Sequence, residues 1–124
     1  MNQSKRRGRV LVVEDQSSVA TLLNDLLGKL GYTVKIAMTG EEGLNHVATF
    51  QPDVVVLDLT LPGMMGGEVL DRLRQTDPQI AVVAMTGDPD RAKGILERGA
   101  VAYLAKPFNL ATLRQVLGRL LEER

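Results

Sequence analysis

The sequence of 124 residues contains no cysteine and no tryptophan, and aromatic residues make up only 3% of it. The lack of cysteine excludes a disulfide scaffold, a thiolate zinc site and a cysteine nucleophile. The longest unbroken apolar runs, over 80–85 and 100–105, are six residues each, whereas roughly 20 are needed to span a bilayer. We therefore expect a cytoplasmic protein without a membrane-spanning segment.

The formal charge sums to zero, but it is unevenly distributed. Lys5, Arg6, Arg7 and Arg9 precede the first acid, which leaves 11 basic and 15 acidic side chains in the remainder. A mildly acidic body argues against a general nucleic-acid surface. Because this length leaves room for one globular domain, we expect a flexible basic lead-in over 1–8 and one domain over 9–122.

Short apolar runs alternate with amphipathic stretches about five times along the chain. This pattern is typical of an α/β fold with a parallel sheet. The strands are predicted over 10–13, 32–37, 54–57, 80–85 and 101–105. Since crossovers between parallel strands are right-handed, helices are expected on both faces of the sheet.

Several residues indicate where the intervening helices begin and end. Gly31 is predicted at the C-cap of the first helix. Thr39 and Glu42 predict a capping box for the second, and Asp88 is a predicted N-cap of the fourth. Gly94, inside the fourth helix, either lowers its helix propensity or allows close packing against a neighbour.

Polar side chains follow four of the predicted strands. They are Glu14 and Asp15 after the first, Asp58 after the third, Thr86 after the fourth and Lys106 after the fifth. Each alone is also explained by helix capping or by solvation. Three carboxylates at one edge, however, are costly unless a cation joins them, and oxygen ligands favour Mg²⁺. Carboxylates, metal, ammonium and hydroxyl together indicate phosphoryl transfer.

Four motifs resemble those of the receiver domains of bacterial response regulators in two-component signalling. They are Val-Val-Glu-Asp at 12–15, Asp-Leu-Thr-Leu-Pro-Gly-Met at 58–64, Met-Thr-Gly at 85–87 and Ala-Lys-Pro-Phe at 105–108. The resemblance extends over nearly the whole chain. It implies a CheY-like, flavodoxin-like (βα)5 fold, with a doubly wound sheet of five parallel strands in the order 2-1-3-4-5.

The resemblance also implies roles for the residues in the motifs. Asp58 would be the phosphoacceptor, and Glu14, Asp15, Asp58 and the backbone carbonyl of Thr60 would hold Mg²⁺ or Mn²⁺. Glu14 stands where the family more often has aspartate, which leaves open whether it binds the ion directly or through water. Thr60 and Asp88 occupy positions where family members tune the lifetime of the phosphoryl group.

The remaining implied roles concern the response to phosphorylation. Lys106 and Thr86 would contact the phosphoryl group, and the Lys106–Pro107 bond would be cis. Thr86 and Tyr103 would form the switch: Thr86 moves towards the phosphoryl group, Tyr103 rotates inward, and the surface of helix 4, strand 5 and helix 5 is reshaped.

These roles together imply a phosphorylation-dependent signalling switch in a phosphorelay. The domain would take a phosphoryl group from the phosphohistidine of a sensor histidine kinase or a histidine phosphotransfer protein. It would thus take part in its own phosphorylation and dephosphorylation without being a conventional enzyme. The expected target is an unidentified protein or a second copy of the chain, and neither a membrane nor direct nucleic-acid contact is expected.

Other functions compete with this interpretation. The chain could be a receiver excised from a hybrid histidine kinase or a larger regulator, as opposed to a free-standing protein. A Mg²⁺-dependent aspartyl-phosphate phosphatase would need a second acid where Thr60 stands. A flavin binder would need more aromatic residues, and a constitutive interaction module would be favoured only if Asp15, Asp58 or Lys106 were missing.

Overall fold

Strands made of β-branched residues and leucine form the centre of the molecule. The computed structural model describes residues 8–61 and 63–121, and over these residues five strands alternate with five helices. The strands are β1 (Arg9–Val13), β2 (Thr33–Ala37), β3 (Val54–Asp58), β4 (Ala81–Thr86) and β5 (Ala102–Ala105). The helices are α1 (Ser17–Lys29), α2 (Gly40–Phe50), α3 (Gly66–Thr76), α4 (Pro89–Glu97) and α5 (Leu110–Leu121).

The strands form one parallel sheet in the order β2-β1-β3-β4-β5. This confirms the predicted doubly wound α/β fold. The predicted lead-in over 1–8 lies outside the described residues except for Gly8, and so does the end of the predicted domain at residue 122. Those domain limits therefore remain predictions.

Alternate residues of the three central strands, β1, β3 and β4, point into two separate core layers. On one face, side chains such as Leu11 and Val55 are buried together with residues of α2, α3 and α4. On the other face, Val12 and Val56 are buried with residues of α1 and α5. Burial on both faces explains why these strands are continuous apolar runs without polar alternation.

The end of α1 corrects two predicted boundaries. Leu30, and not Gly31, occupies the C-cap, and Gly31 follows it at φ +95°. The Gly31 N–H donates to the Gly28 carbonyl, and the Tyr32 N–H donates to the Leu27 carbonyl. Tyr32 thus closes the helix in a Schellman arrangement, which is why β2 begins one residue later than predicted.

The other helix signals are resolved by specific contacts. Thr39 accepts a hydrogen bond from the Glu42 N–H, and Asp88 accepts one from the Asp90 N–H, so both predicted N-caps are confirmed. The predicted capping box is wrong in its second half, because the Glu42 carboxylate accepts from the Met38 N–H and not from the Thr39 N–H. A Cβ built at Gly94 would have no neighbour within 4 Å. The close-packing explanation for this glycine is therefore wrong, and its lower helix propensity remains.

Two arginines tie the C-terminal end of α4 to α3. Arg98 donates to the carbonyl of Gly67 at 3.1 Å and to the carboxylate of Asp71. In the opposite direction, Arg74 of α3 donates to the carbonyl of Gly99, which follows α4. The end of α4 that lies far from the carboxyl edge of β4 is thus fastened to its neighbouring helix.

Within 8–61 and 63–121, no helix combines the length and the apolar character that crossing a bilayer requires.

Candidate functional site

The strand order brings the predicted polar residues to one edge of the sheet. β1, β3, β4 and β5 are consecutive neighbours, and Asp58 pairs in register with Met85, while Thr86 pairs with Ala105. Glu14 and Lys106 directly follow the ends of β1 and β5. The convergence expected from a parallel sheet is therefore present.

Three carboxylates lie together at this edge. Glu14, Asp15 and Asp58 each place an oxygen within 4.8 Å of the others. Glu14 is fully buried and Asp58 is 2% exposed, whereas Asp15 is half-buried. An all-oxygen donor set with one side open to solvent suits a hard cation that keeps part of its hydration shell, as Mg²⁺ does.

Three donors face the same oxygen of the Asp58 carboxylate. The backbone N–H and the hydroxyl of Thr60 each donate to Oδ1 at 3.0 Å, and Nζ of Lys106 lies 3.4 Å from that atom. The carboxylate is therefore fixed in orientation and its charge is partly balanced. Nζ of Lys106 also lies 3.4 Å from Oε1 of Glu14.

Thr86 links this edge to α4. Its side chain is buried, and its hydroxyl oxygen accepts a hydrogen bond from the Asp88 N–H at 3.0 Å. Asp88 in turn caps α4 through the Asp90 N–H. The hydroxyl retains its own proton to donate elsewhere, so the helix-capping explanation and the predicted phosphoryl contact are compatible.

Tyr103, the other predicted switch residue, lies on β5 with its side chain exposed. Its neighbour Leu104 points into the core. Tyr103 is thus on the outer surface of the strand, from which an inward rotation would have to start. The Lys106–Pro107 bond is cis, as predicted.

The electrostatic environment of Glu14 disfavours its charge. Burial raises the pKa of Glu14 above its ordinary value, and the neighbouring Asp58 carboxylate raises it further. The Gln16 N–H and the Lys106 ammonium act in the opposite direction and only partly offset these effects. The metal-free site therefore holds an anion at a cost in stability.

We expect Glu14→Gln to stabilise the metal-free protein. A carboxyl whose pKa is raised by folding binds its proton more tightly in the folded state, so stability is lost as the pH rises through the folded pKa. Glutamine removes that loss, so the free energy of unfolding at pH 7.5 should rise by more than the roughly 0.5 kcal/mol typical of surface substitutions. Urea unfolding in EDTA at pH 7.5 and pH 5 measures the change, and the gain should shrink at the lower pH.

Glu41→Gln is the matched control for this variant, since Glu41 is exposed in the first turn of α2. Its effect should stay within about 0.5 kcal/mol. A lower stability of Glu14→Gln at pH 7.5, or a gain that does not vary with pH, would contradict the electrostatic explanation.

Sequence reasoning missed one partner of the site altogether. The backbone N–H of Gln16 donates to Oε2 of Glu14 at 3.1 Å. Every residue except proline carries such a donor, so the sequence has no signal for it. The sequence did predict that Glu14 and Lys106 lie at the same edge, but not that they are in direct contact, because the position of a lysine Nζ depends on its rotamers.

Comparisons with known proteins agree on one family. The model of the response regulator receiver domain matches residues 10–118. Sporulation initiation phosphotransferase F of Bacillus subtilis is 36% identical over 115 residues, which cover 91% of this chain and 93% of that protein. The alkaline phosphatase synthesis transcriptional regulatory protein PhoP of the same organism is 39% identical, but the match covers 82% of this chain and only 43% of that relative.

Solved structures resemble the fold over a similar range. A putative response regulator from Chloroflexus aurantiacus superimposes with a TM-score of 0.87 at 33% identity, covering 93% of this chain and 98% of that one. The chemotaxis protein CheY4 of Vibrio cholerae gives a TM-score of 0.85 at 30% identity, with coverages of 92% and 98%.

A doubly wound five-stranded sheet with an acidic cluster, a threonine and a lysine at its carboxyl edge defines a CheY-like domain. The chain belongs to the response regulator receiver domain family of two-component systems. It spans nearly the full length of the sporulation phosphotransferase and about half or less of the matched transcriptional regulators. Receiver domains generally bind Mg²⁺, and Glu14, Asp15 and Asp58 fit such a site.

Proposed function

We propose that this receiver domain is a phosphorylation-dependent switch in which Asp58 accepts the phosphoryl group. The observation that carries the proposal is the position of the Lys106 ammonium, 3.4 Å from Oδ1 of Asp58, beside the acidic cluster with Glu14 and Asp15. This arrangement supplies a carboxylate nucleophile, a cation site and a fixed positive charge, which phosphoryl transfer requires.

In the proposed reaction, an Asp58 carboxylate oxygen forms a bond to phosphorus as the P–N bond of a donor phosphohistidine breaks. The electron pair of that bond stays on the imidazole. Lys106 balances the negative charge on the transferred group, and Thr60 keeps the carboxylate in its orientation. Mg²⁺, when held by Glu14, Asp15, Asp58 and the Thr60 carbonyl, supplies further positive charge for the phosphoryl oxygens.

The proposed output passes through Thr86. A phosphoryl group adds a charge of about −1.5 to −2. Its oxygens can accept a hydrogen bond from the Thr86 hydroxyl. Because that hydroxyl is bonded to Asp88 at the start of α4, its movement shifts the end of the helix. Asp90, in the first turn of α4, and Tyr103, on β5, are exposed and belong to the surface we propose as the target contact.

We propose a sensor histidine kinase or a histidine phosphotransfer protein as the phosphoryl donor. The downstream target is proposed to be a protein or a second copy of the chain. A receiver that works as part of a longer regulator or hybrid kinase is the alternative. It is favoured by the transcriptional regulators, of which the chain spans about half or less, whereas the sporulation phosphotransferase favours a separate domain.

Incubation with acetyl phosphate and Mg²⁺, followed by intact-mass measurement, tests the proposal. One phosphoryl adduct should form, and EDTA should prevent it. No adduct in the presence of Mg²⁺ would reject the proposed function. Continuous hydrolysis of unrelated phosphate esters would instead favour the phosphatase.

Thr60→Val should prolong the lifetime of the adduct. The Thr60 hydroxyl donates to Oδ1 of Asp58 and so stabilises the carboxylate that is released when water attacks phosphorus. One hydrogen bond of about 1 kcal/mol corresponds to a roughly fivefold slower dephosphorylation. Loss of adduct mass with time after removal of acetyl phosphate measures the rate.

Thr76→Val, at an exposed position of α3, is the control for this prediction, because the Thr76 hydroxyl donates to the Arg72 carbonyl of its own helix. Its adduct should decay at the wild-type rate. Faster decay in Thr60→Val would show that the hydroxyl protects the phosphoryl group instead.

A further inference from the structure

Both carboxylate oxygens of Glu14 are engaged by groups of this chain. Oε2 accepts the Gln16 N–H at 3.1 Å, and Oε1 lies 3.4 Å from Nζ of Lys106. The Glu14 backbone is fixed as well, since its N–H donates to the Ala37 carbonyl at the end of β2. The side chain is fully buried, so this geometry is held by the surrounding structure.

Asp15, the neighbouring acid, differs from Glu14 in the contacts of its carboxylate. Its side chain is half-buried, and no donor or cation among residues 8–61 and 63–121 contacts its carboxylate. Asp15 is therefore free to bind a cation directly, whereas both oxygens of Glu14 are already engaged, so Glu14 would contact a bound Mg²⁺ through water.

The length of Glu14 allows this contact. Nζ of Lys106 is equally far from Oε1 of Glu14 and from Oδ1 of Asp58, at 3.4 Å in each case. An aspartate at position 14 would be one carbon–carbon bond shorter, about 1.5 Å. Its carboxylate would then lie beyond hydrogen-bond distance of Lys106 unless the lysine moved.

We propose that Glu14 is a positioning residue that holds the Lys106 ammonium beside Asp58 and acts on phosphoryl transfer through that lysine. This inference rests on the proposed function of Asp58. A lysine side chain has many rotamers, and Glu14 restricts them before the donor arrives. After transfer, the phosphoryl oxygens replace Glu14 as the partner of Lys106.

A double-mutant cycle tests this coupling directly. The rate of adduct formation from acetyl phosphate at saturating Mg²⁺ is measured for the wild type, Glu14→Asp, Lys106→Ala and the double variant. Glu14→Asp should slow the reaction about three- to tenfold when Lys106 is present, and less than twofold when Lys106 is absent. Equal losses in both backgrounds would overturn the proposal.

Two measurements without phosphoryl transfer separate this role from a general defect. By calorimetry, Glu14→Asp should bind Mg²⁺ within about threefold of the wild-type affinity, and a loss of affinity as large as the loss of rate would overturn the proposal. In urea unfolding with EDTA, the changes in the free energy of unfolding caused by Glu14→Gln and Lys106→Ala should not add up in the double variant. The changes caused by Glu41→Gln and Lys106→Ala, the control pair, should add up. Additive stabilities in the first pair would also overturn it.

The outcomes distinguish this inference from the proposed function. A wild-type protein that gains no adduct rejects the function of Asp58 and the positioning role together. A phosphorylated wild type, with equal losses for Glu14→Asp in both backgrounds, rejects the positioning role alone.

Discussion

Asp58→Asn is expected to abolish the phosphoryl adduct formed from acetyl phosphate and Mg²⁺. The amide has no carboxylate electron pair with which to attack phosphorus, yet its oxygen can still accept the two hydrogen bonds from Thr60. The fold should therefore remain intact. Replacement of one anion in the cluster also relieves repulsion with Glu14, so we expect no loss of stability in EDTA.

Asp53→Asn is the matched control for this experiment. Asp53 precedes the opposite end of the same strand, where it accepts a hydrogen bond from the Arg9 N–H, a role that asparagine can retain. Its adduct should form at the wild-type rate. An adduct on Asp58→Asn at the wild-type level would show that another residue accepts the phosphoryl group, and peptide mass mapping would locate it.

Asp15→Asn is expected to remove at least about half of the stabilisation that Mg²⁺ gives. A ligand at 100 times its dissociation constant stabilises the folded state by about 2.7 kcal/mol. Asp15 is the acid of the cluster whose carboxylate no donor or cation contacts within 8–61 and 63–121, so its loss should weaken Mg²⁺ binding by more than about tenfold, or 1.4 kcal/mol. Thermal unfolding with increasing Mg²⁺, against an EDTA baseline, measures the difference.

Asp25→Asn controls for the removal of one negative charge, since Asp25 is exposed on α1. Mg²⁺ should raise the thermal stability of Asp25→Asn as much as it raises that of the wild type. If Asp15→Asn were stabilised by Mg²⁺ to the same extent as the wild type, the cation would bind elsewhere and the assigned site would be wrong.

The sheet was predictable because its three central strands, β1, β3 and β4, are buried on both faces. Runs such as Val54–Asp58 contain only apolar residues until the final acid, and in a parallel sheet those final residues must share one edge. The grouping of Asp58, Thr86 and Lys106 follows from that rule. The end of α1 did not follow, because Tyr32 has strand propensity but is used to close the helix.

Contacts between side chains were not predictable in the same way. The Glu14 to Lys106 contact and the Arg98 to Asp71 contact join distant parts of the chain. The side chains of Lys106 and Arg98 could both have extended into solvent in the same fold, because long charged side chains commonly do so. Whether such a side chain contacts an acid or extends into solvent depends on its rotamer and on how deeply it is buried, and a sequence pattern encodes neither.

The attachment of α4 at both ends determines how it can move. Its far end is bound to α3 through Arg98 and through the carbonyl of Gly99, while its near end meets the Thr86 hydroxyl through Asp88. If Thr86 is displaced as proposed, we expect the helix to turn about Arg98, with the largest movement at Asp88 and the smallest at Arg98. A binding protein that senses this rotation must read the first turn of α4.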